Sequence, residues 1–322
     1  MKKKLFWILK LCISLGILWY VFSRPDISLH KIVEHTKSIE LSRLLMAIGL
    51  YLVVVFIACI RWQELLKGQG ICLSFFKTLE LNFIGLFFNA FMPSLTGGDV
   101  VKAYYVSKHT DQRLEAATTV LIDRIVGMFA LLTIGAVASL YAISEPQIRK
   151  PAISIVVFFL IITVLCIVFF NKSLMRKFSF DVKKERWQKV VVSLKRVYAA
   201  FYIYRSKKAL LVKVFLMSIV IQIMSILINY QIALGLGLDV SMKYFFLFIP
   251  IIAVISAIPI TFAGWGLGES MYKYFFGLVT GACGLAVTMS IIVRLIILIL
   301  NLFGGIFYIF HKPPKLSQNE QI

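Results

Sequence analysis

The stretch PSLTGGD, residues 93–99, interrupts a chain that otherwise consists largely of long apolar runs. It closes the run 81–95 with Pro93 and two glycines, and then places the carboxylate of Asp99. Hydrocarbon cannot hydrogen-bond an open backbone, so such a break persists only where protein surrounds it or where it lines a wet cavity. An ionisable group at such a break predicts a functional site.

A second break, PITFAGWGLGE at residues 259–269, lies late in the chain. Two interrupted segments, one in each half, are typical of a transporter binding site. Pro93 and Gly98 are five residues apart, as are Pro259 and Gly264, and an acid follows each pair. An inverted repeat explains this match, and chance resemblance between two short Pro–Gly breaks is the alternative.

Composition predicts an all-α polytopic membrane protein. Of the 322 residues 60% are hydrophobic, and the mean hydropathy is +0.89, whereas soluble domains are nearer half apolar. The net charge of +20 is expected to hold loops in the cytoplasm rather than to bind nucleic acid. The cysteines and histidines show no metal-ligand spacing, and no phosphate loop, dinucleotide motif or nucleophile motif is found. We therefore expect no metal, no cofactor and no catalytic residue.

Loop charge predicts the topology. The loop 171–208 carries twelve lysine or arginine residues against Asp181 and Glu185, so it belongs in the cytoplasm. With that loop inside, the number of membrane crossings fits only if the run 81–95 is re-entrant from the cytoplasm. The same count of crossings makes 244–260 re-entrant from outside. We predict six full transmembrane helices, two opposed re-entrant segments and both termini inside. The spans are expected near residues 5–22, 43–60, 125–143, 152–170, 209–233 and 285–310. Eight full spans is the alternative.

A single integral membrane domain is predicted over residues 1–312, followed by a short cytoplasmic tail, 313–322. Within the basic loop 171–208, apolar residues recur at helical spacing between Trp187 and Phe201. This pattern predicts an amphipathic helix at the inner interface that contacts anionic lipid headgroups. Simple determination of topology is the alternative reading of its charge, and the two are compatible.

The first break carries residues suited to a phosphate. Gly97 and Gly98 let the backbone approach a ligand, and Asp99 is a suitable N-cap for the helix that follows. A helix N-terminus attracts phosphate, and Lys102 adds a point charge one turn on. A capped helix with packing glycines is the alternative.

Charged residues in the apolar spans are expected to pair. Arg294 lies midway along the last span, where a charge costs roughly 2.5–3.5 kcal/mol, so it should face the interior and pair with Glu269 or Asp99. A structural salt bridge is the alternative. Asp123 and Arg124 lie at the inner mouth of their span, where a role as an interfacial anchor is the alternative to a role in the functional site.

These residues resemble the signatures of one family, the membrane region of lysylphosphatidylglycerol synthase and its stand-alone, flippase-like relatives. The runs PSLTGGDVVK (93–102) and GWGLGE (264–269) resemble its first and third signatures, Asp123-Arg124 resembles the second, and Arg294 matches the basic residue of the closing span. The resemblance covers residues 4–310. Lys102 stands where the family usually has arginine, which removes a bidentate phosphate contact.

The resemblance implies flipping of a phospholipid or a polyprenyl-linked headgroup across the bacterial plasma membrane. Aminoacylated phosphatidylglycerol, another phospholipid and a lipid-linked sugar all fit, and a homo-oligomer is compatible. A phosphatidylglycerol lysyltransferase, linked by the family name to antibiotic resistance, or its membrane subunit is one alternative, and a non-transporting scaffold is another. The twelve residues after Phe310 argue against the synthase's soluble domain. The expected substrate-binding residues are Gly97, Gly98, Asp99, Lys102, Arg124, Gly264, Gly266, Gly268, Glu269 and Arg294.

Overall fold

The computed structural model describes residues 2–23, 27, 29–92, 97–110, 112–146, 148–170, 202–204, 206–258 and 260–311. Within these ranges the chain is helical and contains no strand, so the predicted all-α class is confirmed there. The predicted interfacial helix between 187 and 201 and the tail 313–322 lie outside the described residues.

The helices follow one another in a simple order along the chain. They are α1 (Lys2–Phe22), α2 (Leu29–Lys37), α3 (Leu41–Gly68), α4 (Phe75–Phe91), α5 (Gly97–Thr110), α6 (Arg113–Ala142), α7 (Arg149–Phe170), α8 (Lys208–Gly235), α9 (Met242–Ala257), a 3-10 turn (Phe262–Gly264), α10 (Leu267–Thr280), α11 (Cys283–Leu302) and α12 (Gly304–Phe310).

Four helical segments in the described part are long and apolar enough to cross a membrane. They are α3, α6, α8 and the segment Cys283–Phe310, which comprises α11 and α12; α9 and residues Leu11–Phe22 of α1 are shorter apolar helices. These segments and the outward-facing apolar side chains along them support a multi-pass membrane protein. The outward-facing residues include Leu45, Leu52, Phe56, Val137, Leu140, Leu216, Val220 and Ile299.

Two helices extend well beyond the spans predicted from the sequence. Helix α3 continues to Gly68 rather than ending near residue 60, and α6 begins at Arg113 rather than 125. Asp123 and Arg124 therefore lie inside a continuous helix, not at its mouth. The extension is possible because Asp123 forms an ion pair with Arg61 of α3, so the charges are paired within the bundle.

Helices α3 and α8 pack against each other in antiparallel orientation. At one end, Arg43 near the start of α3 donates to Gln231 near the end of α8, at 3.0 Å. At the other end, Lys213 near the start of α8 donates to Glu64 near the end of α3, at 2.7 Å. The two long helices therefore run in opposite directions through the molecule.

The two halves of the chain repeat the same order of helices. Helices α5 and α10 are each 14 residues long, and their first residues, Gly97 and Leu267, are 170 positions apart. The same offset relates the first residues of α6 and α11, Arg113 and Cys283. Packing repeats as well, because α4 contacts α5 and α11 while α9 contacts α10 and α6. The prolines at 93 and 259 are 166 positions apart, so they do not share the offset of 170 positions.

Glu145 lies in the turn between α6 and α7, outside the membrane-length helices. A hydrogen bond from Lys243, with another from Tyr244 Oη at 2.9 Å, lowers the pKa of the Glu145 carboxyl below its ordinary value. A lowered folded-state pKa stabilises the protein above the unfolded-state value of about 4.3. That contribution is lost as the pH falls through the folded-state pKa.

We expect Glu145→Gln to be slightly less stable than the wild type at pH 7, with the difference shrinking below about pH 4. The effect is small because water screens this exposed cluster. Thermal unfolding in detergent micelles across this pH range measures it. A difference that grows on acidification contradicts the role given to this carboxylate.

Candidate functional site

A cavity of about 620 Å³ lies among α3, α4, α5, α6, α8 and α9 and the segment that precedes α10. Its volume falls in the range of small-molecule binding sites. Its charged lining consists of Arg61, Lys102, Asp123 and Arg124. The apolar lining includes Val54, Val55, Ala58, Leu86, Met128, Leu131, Ile221, Ala253 and Val254. The cavity is therefore amphipathic, with three cations and one acid on its wall.

Arg61 and Asp123 form a closed ion pair between α3 and α6. The guanidinium contacts the carboxylate at two points, Nη2 to Oδ2 at 2.9 Å and Nε to Oδ1 at 2.8 Å. Arg61 also donates to Ser218 Oγ at 2.8 Å. Both side chains are mostly buried, and each satisfies the charge of the other, so this pair fixes α3 against α6.

Asp99, the third residue of α5, is shared between two cations. Arg124 Nε lies 2.5 Å from its carboxylate and Lys102 Nζ lies 3.6 Å away. Lys102 also donates to Asn82 Oδ1 at 2.8 Å and sits 4.9 Å above the ring of Trp62. Three neighbours, Asn82, Asp99 and Trp62, thereby hold the mostly buried Lys102 ammonium at the cavity wall.

Arg124 is the most exposed of the three cations on this wall. Its side chain is 48% exposed, whereas that of Arg61 is 9% exposed. Only its Nε contacts Asp99, and no described residue accepts a hydrogen bond from its two terminal amino groups. Because Arg124 lines the cavity, those groups are available to a ligand.

The structure gives Gly97 and Gly98 a packing role. A Cβ on Gly98 would collide with the carbonyl oxygen of Gly85, and one on Gly97 would collide with Met92. The Gly98 N–H donates to Asn89 Oδ1 at 2.7 Å. Asn89 thus takes one of the N–H groups of the helix terminus that the sequence predicts to attract phosphate. Asp99 is not the N-cap, since α5 begins at Gly97.

The second break is held by Arg294 of α11. Its Nη1 donates to the carbonyl of Ala263 at 3.2 Å, its Nη2 donates to that of Gly264 at 2.8 Å, and its Nε lies 2.6 Å from Glu269 Oε1. The segment needs such support because Ala263 has a φ of 48° and Gly264 and Gly266 have φ values of 76° and 84°.

Glu269, the third residue of α10, is fully buried. Its second oxygen accepts the Gly266 N–H at 2.6 Å, which closes the first turn of α10. Gly268 packs directly against the Arg294 guanidinium. The predicted pairing of Arg294 with Glu269 is therefore found, whereas Asp99 pairs with Arg124 and Lys102 instead.

The two acid–arginine pairs occupy equivalent positions in the two halves. Asp99 and Arg124 are 25 residues apart, as are Glu269 and Arg294, and the offset between the pairs is again 170. Of the ten predicted site residues, Lys102, Arg124 and Gly264 line the cavity. Asp99 lies behind this wall, and Glu269 and Arg294 form a separate cluster behind the second break.

Sequence reasoning missed Arg61, Asn82, Ser256 and Thr261, all of which line the cavity. The charge of Arg61 at the end of an apolar run was a usable signal, because such a group needs a buried partner. The polar residues carry no comparable signal, since their role depends on which helices meet.

A bundle of apolar helices around a charged internal cavity defines a multi-pass membrane protein with a buried polar site. The chain belongs to the family described as the transmembrane region of lysylphosphatidylglycerol synthase, whose profile matches residues 7–305. It is 27% identical to a UPF0104 membrane protein of Pyrococcus horikoshii, over 99% of this chain and 100% of that one. It is 23% identical to a UPF0104 membrane protein of Methanocaldococcus jannaschii, over 87% of each. No solved structure matches.

Proposed function

We propose that this protein moves the anionic headgroup of a membrane lipid between leaflets. The observation that carries the proposal is the half-exposed guanidinium of Arg124 in an internal cavity, because its two terminal amino groups have no acceptor among the described residues. Arginine with unoccupied amino groups binds phosphate with two parallel hydrogen bonds. Arg61 and Lys102 add positive potential to the same wall. The apolar part of the lining suits the first carbons of a lipid tail.

The paired helices at each break support a re-entrant architecture. Helices α4 and α5 have 17 and 14 residues, and α9 and α10 have 16 and 14. At 1.5 Å per residue each is about 21–26 Å long, shorter than the roughly 30 Å of hydrocarbon. Each pair packs together as a hairpin. Such hairpins bring broken backbone to the bilayer midplane, where they line a transport site.

The antiparallel packing of α3 and α8 and the 170-residue offset support an inverted repeat. In such repeats, the two halves exchange conformations to open the site to each side in turn. Each of the two equivalent arginines binds an acid through Nε, but they differ in their terminal amino groups. Those of Arg294 donate to two backbone carbonyls, whereas those of the half-exposed Arg124 have no acceptor among the described residues. We propose that Arg294 becomes the exposed partner in the opposite state.

The family description, which names a lysylphosphatidylglycerol synthase, supports a phospholipid as the substrate. The positive loops favour a location of both termini in the cytoplasm of a bacterial cell, with the basic loop 171–208 beside anionic headgroups. In this orientation the end of α3 and the start of α6 face the inner leaflet.

The test is a flipping assay in proteoliposomes with fluorescent short-chain phosphatidylglycerol. We expect Arg124→Gln to slow movement about tenfold, because a hydrogen-bonded charged contact contributes about 1.5–3 kcal/mol. Arg124→Lys keeps the positive charge but cannot make the two parallel hydrogen bonds of a guanidinium to phosphate, so an intermediate rate is expected. Arg113→Gln, which changes an exposed arginine on the same helix, is the matched control and should leave the rate unchanged.

Other outcomes separate the alternatives. If neither the wild type nor any variant moves lipid, while neutralising Arg124 alters partner binding, the protein is a scaffold. Aminoacylated lipid formed from charged tRNA by this chain alone identifies a lysyltransferase. Equal flipping by the wild type and Arg124→Gln removes Arg124 from the site.

A further inference from the structure

The cavity has no free carboxylate on its described walls. Asp123 is bound at two points by Arg61. Asp99 is bound by Arg124 and approached by Lys102. Glu269 has no exposed surface and is not part of the lining. A ligand ammonium group would therefore meet three cations and no acid able to receive it.

Two buried hydroxyl groups lie on the cavity wall without a partner. They belong to Ser256, near the end of α9, and to Thr261, in the break before α10. Thr261 is 1% exposed, and neither its Oγ1 nor the buried Oγ of Ser256 has a hydrogen-bond partner among the described residues. Most serine and threonine hydroxyls in the apolar helices of this protein bond to a carbonyl of their own helix, as Thr163 does.

Unsatisfied buried hydroxyls are rare because each loses its hydrogen bonds to water without replacement. Each of these oxygens has less than 1 Å² of accessible surface, so a ligand reaches it only after the side chain rotates toward the cavity. A ligand that then supplies oxygen atoms removes the cost of the missing hydrogen bonds. Ser256 and Thr261 come from the α9–α10 side of the cavity, whereas Arg124 comes from α6. The cavity wall thus carries Arg124 on one side and two unpartnered hydroxyl side chains on the other.

We infer that the headgroup is an anionic phosphodiester that carries hydroxyl groups and no free amine. The phosphate contacts Arg124, and the hydroxyls of a glycerol or a cyclic polyol exchange hydrogen bonds with Ser256 and Thr261. This inference rests on the proposed function and narrows its substrate class. It sets this chain apart from the lysylated lipid in the family's description, because a lysyl headgroup carries ammonium groups.

The test compares four lipids with the same short fluorescent acyl chains in proteoliposomes: phosphatidylglycerol, phosphatidylinositol, phosphatidylmethanol and lysylphosphatidylglycerol. Phosphatidylmethanol is the sharpest probe, since it keeps the single negative charge of phosphatidylglycerol and lacks its hydroxyls. Each net hydrogen bond corresponds to about a two- to tenfold change in rate. We expect phosphatidylglycerol or phosphatidylinositol to move at least about threefold faster than phosphatidylmethanol, and lysylphosphatidylglycerol to be slowest. The faster of the two polyol lipids distinguishes a glycerol site from a cyclic-polyol site.

The double variant Ser256→Ala with Thr261→Val should move phosphatidylmethanol at the wild-type rate and lose its preference for the polyol lipids. Thr163→Val is the matched control, because that hydroxyl lies on α7 outside the cavity and bonds to Phe159. Phosphatidylmethanol moving as fast as both polyol lipids in the wild type, or lysylphosphatidylglycerol moving as fast as either, overturns the inference while leaving Arg124-dependent flipping intact. Flipping of no lipid, or flipping unaffected by Arg124→Gln, overturns the proposed function and the inference with it.

Discussion

Replacing Arg294 with methionine is expected to prevent the protein from folding stably in a membrane. Glu269 is fully buried, and Arg294 is the cation that contacts its carboxylate among the described residues. Removing one partner of a buried ion pair costs about 3–5 kcal/mol, a large share of the roughly 5–15 kcal/mol that stabilises a typical protein. The same substitution frees the carbonyls of Ala263 and Gly264, which Arg294 holds in a strained turn.

Fluorescence-detected size exclusion and thermal unfolding in detergent measure this loss. Arg113→Met controls for the loss of one arginine, because Arg113 is exposed at the start of α6. The double variant Glu269→Gln with Arg294→Met should recover part of the stability, since it leaves no unpaired buried charge. If Arg294→Met unfolds at the wild-type temperature, the second break does not depend on this arginine.

The second large effect is expected for Gly98→Ala. A Cβ at this position would overlap the backbone oxygen of Gly85, and the side chain of Asn89 lies close as well. Backbone cannot rotate away as a flexible side chain does, so α4 and α5 must separate. Overpacking of this kind typically costs about 1–3 kcal/mol, and occasionally more. Separation also shifts Asp99, the next residue, and with it the ion pair to Arg124.

Gly98→Ala should therefore lose both thermal stability and flipping activity. Gly49→Ala is the matched control, because nothing lies within 4 Å of a Cβ at Gly49 in α3. That change should be neutral or slightly stabilising, since alanine favours a helix over glycine by up to about 1 kcal/mol. Wild-type stability of Gly98→Ala would mean that α4 and α5 are not packed this closely.

Local chemistry made several features predictable. In lipid a segment must satisfy its own backbone hydrogen bonds, so apolar runs of membrane length located α3, α6, α8 and α11 with errors at the helix ends. Helices α2 and α10 lie outside the predicted spans. Breaks at proline and glycine follow from backbone geometry. Charges within apolar runs are costly, so the sequence alone points to Asp99, Arg124, Glu269 and Arg294.

The amino-acid sequence is enough to predict a helical membrane protein with two broken segments and an acid at each. The three-dimensional packing is needed to show that Asp99 binds Arg124 rather than Arg294, and that Arg61 binds Asp123, 62 residues away. It also decided that Gly98 packs against α4 and that two hydroxyls are left free on a cavity wall. The reason is physical: a charge or a break has a cost set by its own segment, whereas its partner is set by which helices pack together.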